Sequence, residues 1–155
     1  MKPADYDGVA ERVRLYGIDC PEKTQAFYRA AKEYAAERAF HKNVTVRIKG
    51  RDHWKRTIGE VVLPNGQLLN HQLVRAGLAW WFRKYAVGNE ELNVMEEEAR
   101  AAKRGLWIDA NPVPPWEFRK HSRKDVPLPS SSTKQESGAL FFSNASGTLI
   151  HQDQK

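Results

Sequence analysis

Apolar and polar positions along the chain alternate in two rhythms. Val44-Thr45-Val46-Arg47-Ile48-Lys49 has a clean period of two and predicts a strand. Thr57-Ile58-Gly59-Glu60-Val61-Val62-Leu63 predicts a second, followed by a Pro64-Asn65-Gly66 turn. Val9 to Leu15 alternates more loosely after Asp7-Gly8 and predicts another strand. Between them the rhythm changes to that of a helix. Over Lys23 to Lys42, Phe27, Ala30, Ala31, Tyr34 and Ala35 share one face, whose alanines allow close packing on a sheet. Leu69 to Ala76 predicts a short helix stopped by Gly77. Gly88-Asn89 caps a third helix to about Lys103, with Leu92, Met95, Ala99 and Ala102 inward and Gly105 at its end. Leu78 to Phe82 reads as a strand or extended segment, and Asn111 to Trp116, with Pro112, Pro114 and Pro115, as an irregular wrap.

From Ser122 onward the pattern stops. Ser130-Ser131-Ser132-Thr133 and its surroundings are of low complexity, and Leu140-Phe141-Phe142 is too short to make a core. The expected organisation is one domain over residues 1–121 and a disordered tail over 122–155. The order strand, helix, strand, strand, helix, strand, helix predicts an α+β chain: mainly a small Greek-key β-barrel of the oligonucleotide-binding type, with three helices.

Chemistry concentrates where the first strand meets the first helix, in Arg14-Leu15-Tyr16-Gly17-Ile18-Asp19-Cys20-Pro21-Glu22. Gly17 permits a kink and Pro21 closes the strand. A cation and two carboxylates therefore share one corner of a rigid scaffold, a common setting for chemistry. The plainer reading is that Asp19 and Glu22 only start a helix, where the backbone dipole favours acids.

Charge narrows the partner. The 155 residues hold 25 Lys plus Arg against 19 Asp plus Glu, a formal net charge of +6. Lys124 to Lys155 contributes nothing to it, since Lys124, Lys134 and Lys155 balance Asp125, Glu136 and Asp153. A basic folded region suits a polyanion, and nucleic acid more than an anionic membrane. Arg83-Lys84-Tyr85 puts charge beside an aromatic and is the candidate contact; Trp80-Trp81-Phe82 reads as core packing before base stacking. Cys20 is the sole cysteine, which excludes an internal disulfide and a cysteine zinc site. None of the five histidines has the spacing of a zinc or histidine-nuclease site. No apolar run approaches the roughly 20 residues of a membrane span, and Met1 to Tyr6 lacks the apolar core of a signal peptide.

The stretch Val13 to Glu22 resembles the signature of staphylococcal nuclease-like (thermonuclease) domains. Three further stretches follow in the family's order: Asp52-His53-Trp54-Lys55-Arg56-Thr57-Ile58-Gly59, Leu69-Asn70 through Ala79, and Ala99-Arg100 through Gly105-Leu106-Trp107. The resemblance covers roughly residues 8–120, and motifs in order are far more specific than any one alone. It implies a five-stranded oligonucleotide-binding barrel and Ca²⁺-dependent, largely sequence-nonspecific hydrolysis of DNA and RNA. It further implies that Asp19 binds metal, that Cys20 does so through its backbone carbonyl, and that Glu22 positions the attacking water. Arg14 and Arg56 would lie on the scissile phosphate, and Tyr85 would flank the nucleotide. The chemistry agrees, because phosphodiester hydrolysis needs a hard cation, an aligned water and donors on the developing oxyanion.

The resemblance also implies an Asp-Gly-Asp-Thr turn that joins the first two strands and supplies a metal ligand. The sequence contains no such turn, and Met1 falls just after the place where its aspartate would stand. The expectation is a barrel that lacks its first strand and has an open edge able to self-associate. Asp5 and Asp7 are the only acids nearby. Lys55 stands where the family has glycine; if that position needs a positive φ, Lys55 is strained. Three functions stay open: a Ca²⁺-dependent nuclease, a catalytically impaired nucleic-acid-binding module, and an interaction protein that pairs through its open edge.

Overall fold

The computed structural model describes residues 11–125, 141–142 and 150–153. Asp5, Asp7 and the Ser130–Thr133 run lie outside the described residues.

In chain order the elements are strands β1 (Val13–Leu15) and β2 (Ile18–Asp19), helix α1 (Tyr28–Ala39), strands β3 (Val44–Arg51) and β4 (Thr57–Val62), helix α2 (Leu69–Arg75) and strand β5 (Trp80–Trp81). Helix α3 (Glu90–Ala101), a 3₁₀ turn (Gly105–Ile108), helix α4 (Pro115–Asp125) and strands β6 (Phe141–Phe142) and β7 (Ile150–Asp153) follow. The main sheet has the order β6-β1-β4-β3-β7, and β2 pairs with β5 in a separate two-stranded sheet.

The fold is therefore mixed α+β, as expected, but not the three-helix Greek-key barrel, open only where its first strand is missing, that the sequence predicts. Among the described residues there are four α-helices, and the two sheets do not join. The break lies at Gly17, whose φ of 77° turns the chain between β1 and β2. Before it, Val13, Arg14 and Leu15 run parallel to Thr57, Ile58 and Gly59 of β4. After it, Ile18 and Asp19 run antiparallel to Trp81 and Trp80. A barrel needs one continuous ladder closed on itself, and here a single strand-to-strand corner is shared between two ladders.

The core follows the alternation of the sequence. Val44 and Val46 of β3, Val61 of β4, Val13 and Leu15 of β1, and Leu69, Leu73 and Val74 of α2 form one buried cluster with Ala31, Ala35 and Ala39 of α1. Asn70 is the polar rivet of that cluster. Its Oδ1 accepts from the Val61 N–H at 3.0 Å, and its Nδ2 donates to Tyr16 O at 3.0 Å and Gly59 O at 3.3 Å. These bonds pin α2 to the turn between β1 and β2 and so fix the corner. A second cluster joins Trp80, Ala99, Leu106 and Trp107, with Trp116 against it. The chain passes close to itself where Gly77 meets Gly105: the Leu106 N–H donates to Gly77 O at 2.8 Å, and a Cβ on Gly77 would lie 2.1 Å from Arg104 O.

Candidate functional site

The turn at Gly17 brings three segments to one corner. Gly17 O accepts from the Phe82 N–H at 2.8 Å, which lays the 82–86 turn against the end of β1. Within that turn the Tyr85 and Ala86 N–H groups both donate to Phe82 O at 3.1 Å, and Tyr85 is left 52 % exposed. Arg14 projects from β1 with its guanidinium carbon 5.5 Å from the Tyr85 ring centroid. Arg56, at the entry to β4, lies near enough for its charge to act on Arg14. Burial pushes the Arg14 guanidinium down, Asp19 and Tyr85 draw it up, and Arg56 and Arg119 lower it further.

The Arg56 loop is built on Asp52. Asp52 Oδ1 accepts from the Trp54 and Arg56 N–H groups at 2.9 Å each, and Oδ2 accepts from Arg56 Nε. Although burial pushes the Asp52 carboxyl up, the bonds from Arg56 and Trp54 hold it below the usual carboxylate value. Lys55 has a φ of 61° and Arg56 nevertheless stays on Asp52. Trp54 is 70 % exposed, with the Arg56 guanidinium 4.9 Å from its centroid. Arg14, Tyr85, Arg56 and Trp54 thus form a ridge of cations and aromatic faces.

Asp19 lies near enough to Arg14 for their charges to act on each other, and Asp19 and Glu22 are both buried. Cys20 is buried in the core. The backbone of Glu22 is braced by Gln25, whose Oε1 accepts from the Glu22 N–H at 2.8 Å while its Nε2 donates to Val113 O at 2.9 Å. Between the two carboxylates sits a residue that the sequence pattern did not single out. Arg119 of α4 donates through Nη2 to Asp19 Oδ2 at 2.7 Å and through Nη1 to Glu22 Oε1 at 2.6 Å, with Asp19 Oδ1 at 3.4 Å. Burial drives the Asp19 carboxyl above the usual carboxylate value despite the pull of Arg119 and Arg14. Burial would lower Arg119 too, but Asp19 and Glu22 more than offset it and hold the guanidinium firmly charged.

These residues do not fit a calcium site as they stand. A calcium ion takes about six to eight oxygen ligands, whereas three carboxylate oxygens of this pair already accept from one guanidinium. Among the described residues, no three His, Cys, Asp or Glu side chains are grouped to hold a metal ion.

Arg83 and Lys84 separate from each other. Arg83 donates to Glu96 Oε1 at 2.9 Å and lies over Trp81 at 4.4 Å. Glu96, buried in α3, also accepts from Arg100 at 3.1 Å and from the Trp81 N–H at 2.7 Å. Lys84 stays on the ridge, with its Nζ 5.8 Å from the Tyr85 centroid.

A family model described as "Staphylococcal nuclease homologue" matches residues 12–109, a span that takes in Arg14, Asp19, Glu22 and Arg56. The chain belongs to this nuclease family. An uncharacterised endonuclease of Escherichia coli is 44% identical over 110 residues, covering 71% of both chains. The micrococcal nuclease of Shigella flexneri is 37% identical over 121 residues, 72% of this chain and 70% of its own. An uncharacterised endonuclease of Haemophilus influenzae is 37% identical over 112 residues, 72% of this chain and 62% of its own. The family match ends before α4, so Arg119 lies outside it. The sequence did carry a signal for α4: Pro115 at the first helical position with Glu117 in the first turn. Among the described residues, no helix is long and apolar enough to cross a membrane.

Proposed function

We propose that this chain is a nucleic-acid-binding module of the staphylococcal nuclease family whose cation-dependent cleavage is impaired. The ridge of Arg14, Tyr85, Arg56 and Trp54 carries this reading. Arginine forks suit phosphate oxygens, because two parallel N–H groups meet two oxygens. An exposed Trp54 and Tyr85, each beside a guanidinium, offer faces on which bases of a single strand stack. Asp52 orients Arg56 for that contact. Family membership supports the same class of ligand. The engagement of Asp19 and Glu22 by Arg119 weighs against assembled calcium chemistry.

The second reading is a working Ca²⁺-dependent nuclease. It draws on the placement of Arg14 near Asp19, with Glu22 held to Asp19 through Arg119, residues that phosphodiester hydrolysis would use.

One experiment separates them. Labelled single-stranded DNA is incubated with the chain in Ca²⁺ or in chelator, and bound, free and cleaved strands are resolved together over a salt series. The expected outcome is binding that is indifferent to chelator, weakens steeply with salt and leaves the strand intact. Trp54→Ala and Tyr85→Ala should each weaken binding by roughly tenfold, on the scale of one lost base stack. Cleavage confined to the Ca²⁺ arm would replace the binding-module reading with the nuclease. An absence of salt-dependent binding and of cleavage in either arm would remove both readings.

A further inference from the structure

Two buried carboxylates at one corner require a cation, since an unpaired buried charge is strongly destabilising. Here the cation belongs to the chain. Trp116 and Arg119 lie three residues apart on α4 and therefore on one face. Their targets lie side by side as well, because Asp19 of β2 pairs directly with Trp80 of β5. Trp116 stacks on Phe82 at 5.2 Å and meets Trp80 edge-on at 5.6 Å, while Arg119 reaches Asp19 and Glu22. The helix is thus keyed into the corner by an aromatic and a guanidinium together. Arg119 is only 18 % exposed and Asp19 fully buried.

We propose that Arg119 is a built-in counter-cation, so that seating of its guanidinium on Asp19 and Glu22 and capture of a divalent cation by the same pair are mutually exclusive. The lone pairs that a hard cation needs are those that accept from Nη1 and Nη2. Arg14 stands close enough to add repulsion against a second positive charge. In this arrangement α4 supplies the corner's own cation, and a divalent ion can contend for the two carboxylates only where Arg119 is off them. The inference stands on the Arg119 contacts and does not depend on nucleic-acid binding.

The test is calorimetric titration of the whole chain with Mn²⁺, a probe that takes the same oxygen ligands. The parent is compared with Arg119→Met, which keeps the apolar stem, with Arg119→Lys, which keeps a charge but not the fork, and with the Arg119→Met/Asp19→Asn double variant. The parent should bind Mn²⁺ weakly. Arg119→Met should bind it roughly tenfold or more tightly, the double variant should lose that gain, and Arg119→Lys should fall between parent and Met. Mn²⁺ should also raise the melting temperature of Arg119→Met and leave that of the parent unchanged. Equal affinity in the parent and folded Arg119→Met overturns the proposal, as does a gain that survives Asp19→Asn. If Arg119→Met does not fold, Arg119→Lys decides: a gain over the parent supports the exclusion, and affinity equal to the parent's overturns it.

Discussion

Lys55 shows how one residue can be strained while its neighbour stays in place. Its φ of 61° is a left-handed conformation that an L side chain adopts at a cost, and its side chain is exposed with no burial to offset it. The strain is tolerated because Asp52 closes the loop on both sides: the Lys55 N–H donates to Asp52 O at 3.0 Å, and the Asp52 N–H donates to Arg56 O at 3.1 Å. Lys55→Gly is therefore expected to raise the unfolding free energy by about 1 kcal/mol in urea denaturation. Lys55→Ala, which keeps the Cβ, should give no gain. Equal effects of the two would mean that the lysine side chain, not the backbone, is the source. The position was legible in the sequence because the family has glycine there. That Arg56 stays on Asp52 was not, since it depends on a carboxylate that accepts from two backbone N–H groups and the Arg56 side chain together.

Local pattern revealed most elements and missed the one that closes the corner. The strands at 44–51 and 57–62 and the helices at 28–39, 69–75 and 90–101 follow from alternation, periodicity and caps. Asn89 caps α3 as expected, its side chain accepting from the Leu92 N–H at 3.1 Å. Helix α4 was hidden because Pro112, Pro114 and Pro115 read as breakers, whereas Pro115 sits at the first helical position, where its missing N–H costs nothing. Arg14, Asp19, Glu22 and Arg56 could be picked out from short motifs, but Arg119 reaches Asp19 and Glu22 from a hundred residues beyond Asp19. Trp116 is the hinge of that reach, lying between Phe82 and Trp80. Trp116→Ala should cost about 2 kcal/mol, less than a fully buried tryptophan because the ring is partly exposed. Hydrogen exchange should quicken in α4 and leave the amides of β3 and β4 protected. Uniform acceleration across the chain would show that α4 is no separate unit but part of the main cooperative core.

At the scale of the molecule, barrel closure was not legible, because it depends on which distant edges pair and no local period encodes that. The main sheet instead runs from β6 on β1 to β7 on β3, strands drawn from residues after 140. Stability against acid is likewise a property of packing between elements. His71 of α2 is half-buried against α3, with Nε2 3.7 Å from Glu91 Oε2. Burial pushes its imidazole below the ordinary 6.5, aided by Arg75, while Glu91 and Glu60 draw it back up. The unfolded chain then binds that proton more readily than the folded one, so this contribution to stability is complete above pH 6.5 and is lost as the pH falls below it. Asp52, held low, acts in the same sense only in stronger acid, and Asp19, held high, acts in the opposite sense. The melting temperature should therefore fall on acidification through the histidine range, and His71→Gln should make that fall shallower while leaving the response in stronger acid unchanged. An identical profile in parent and variant would place the acid sensitivity elsewhere, and a steeper one would mean that protonated His71 gains more from Glu91 and Glu60 than it loses by burial.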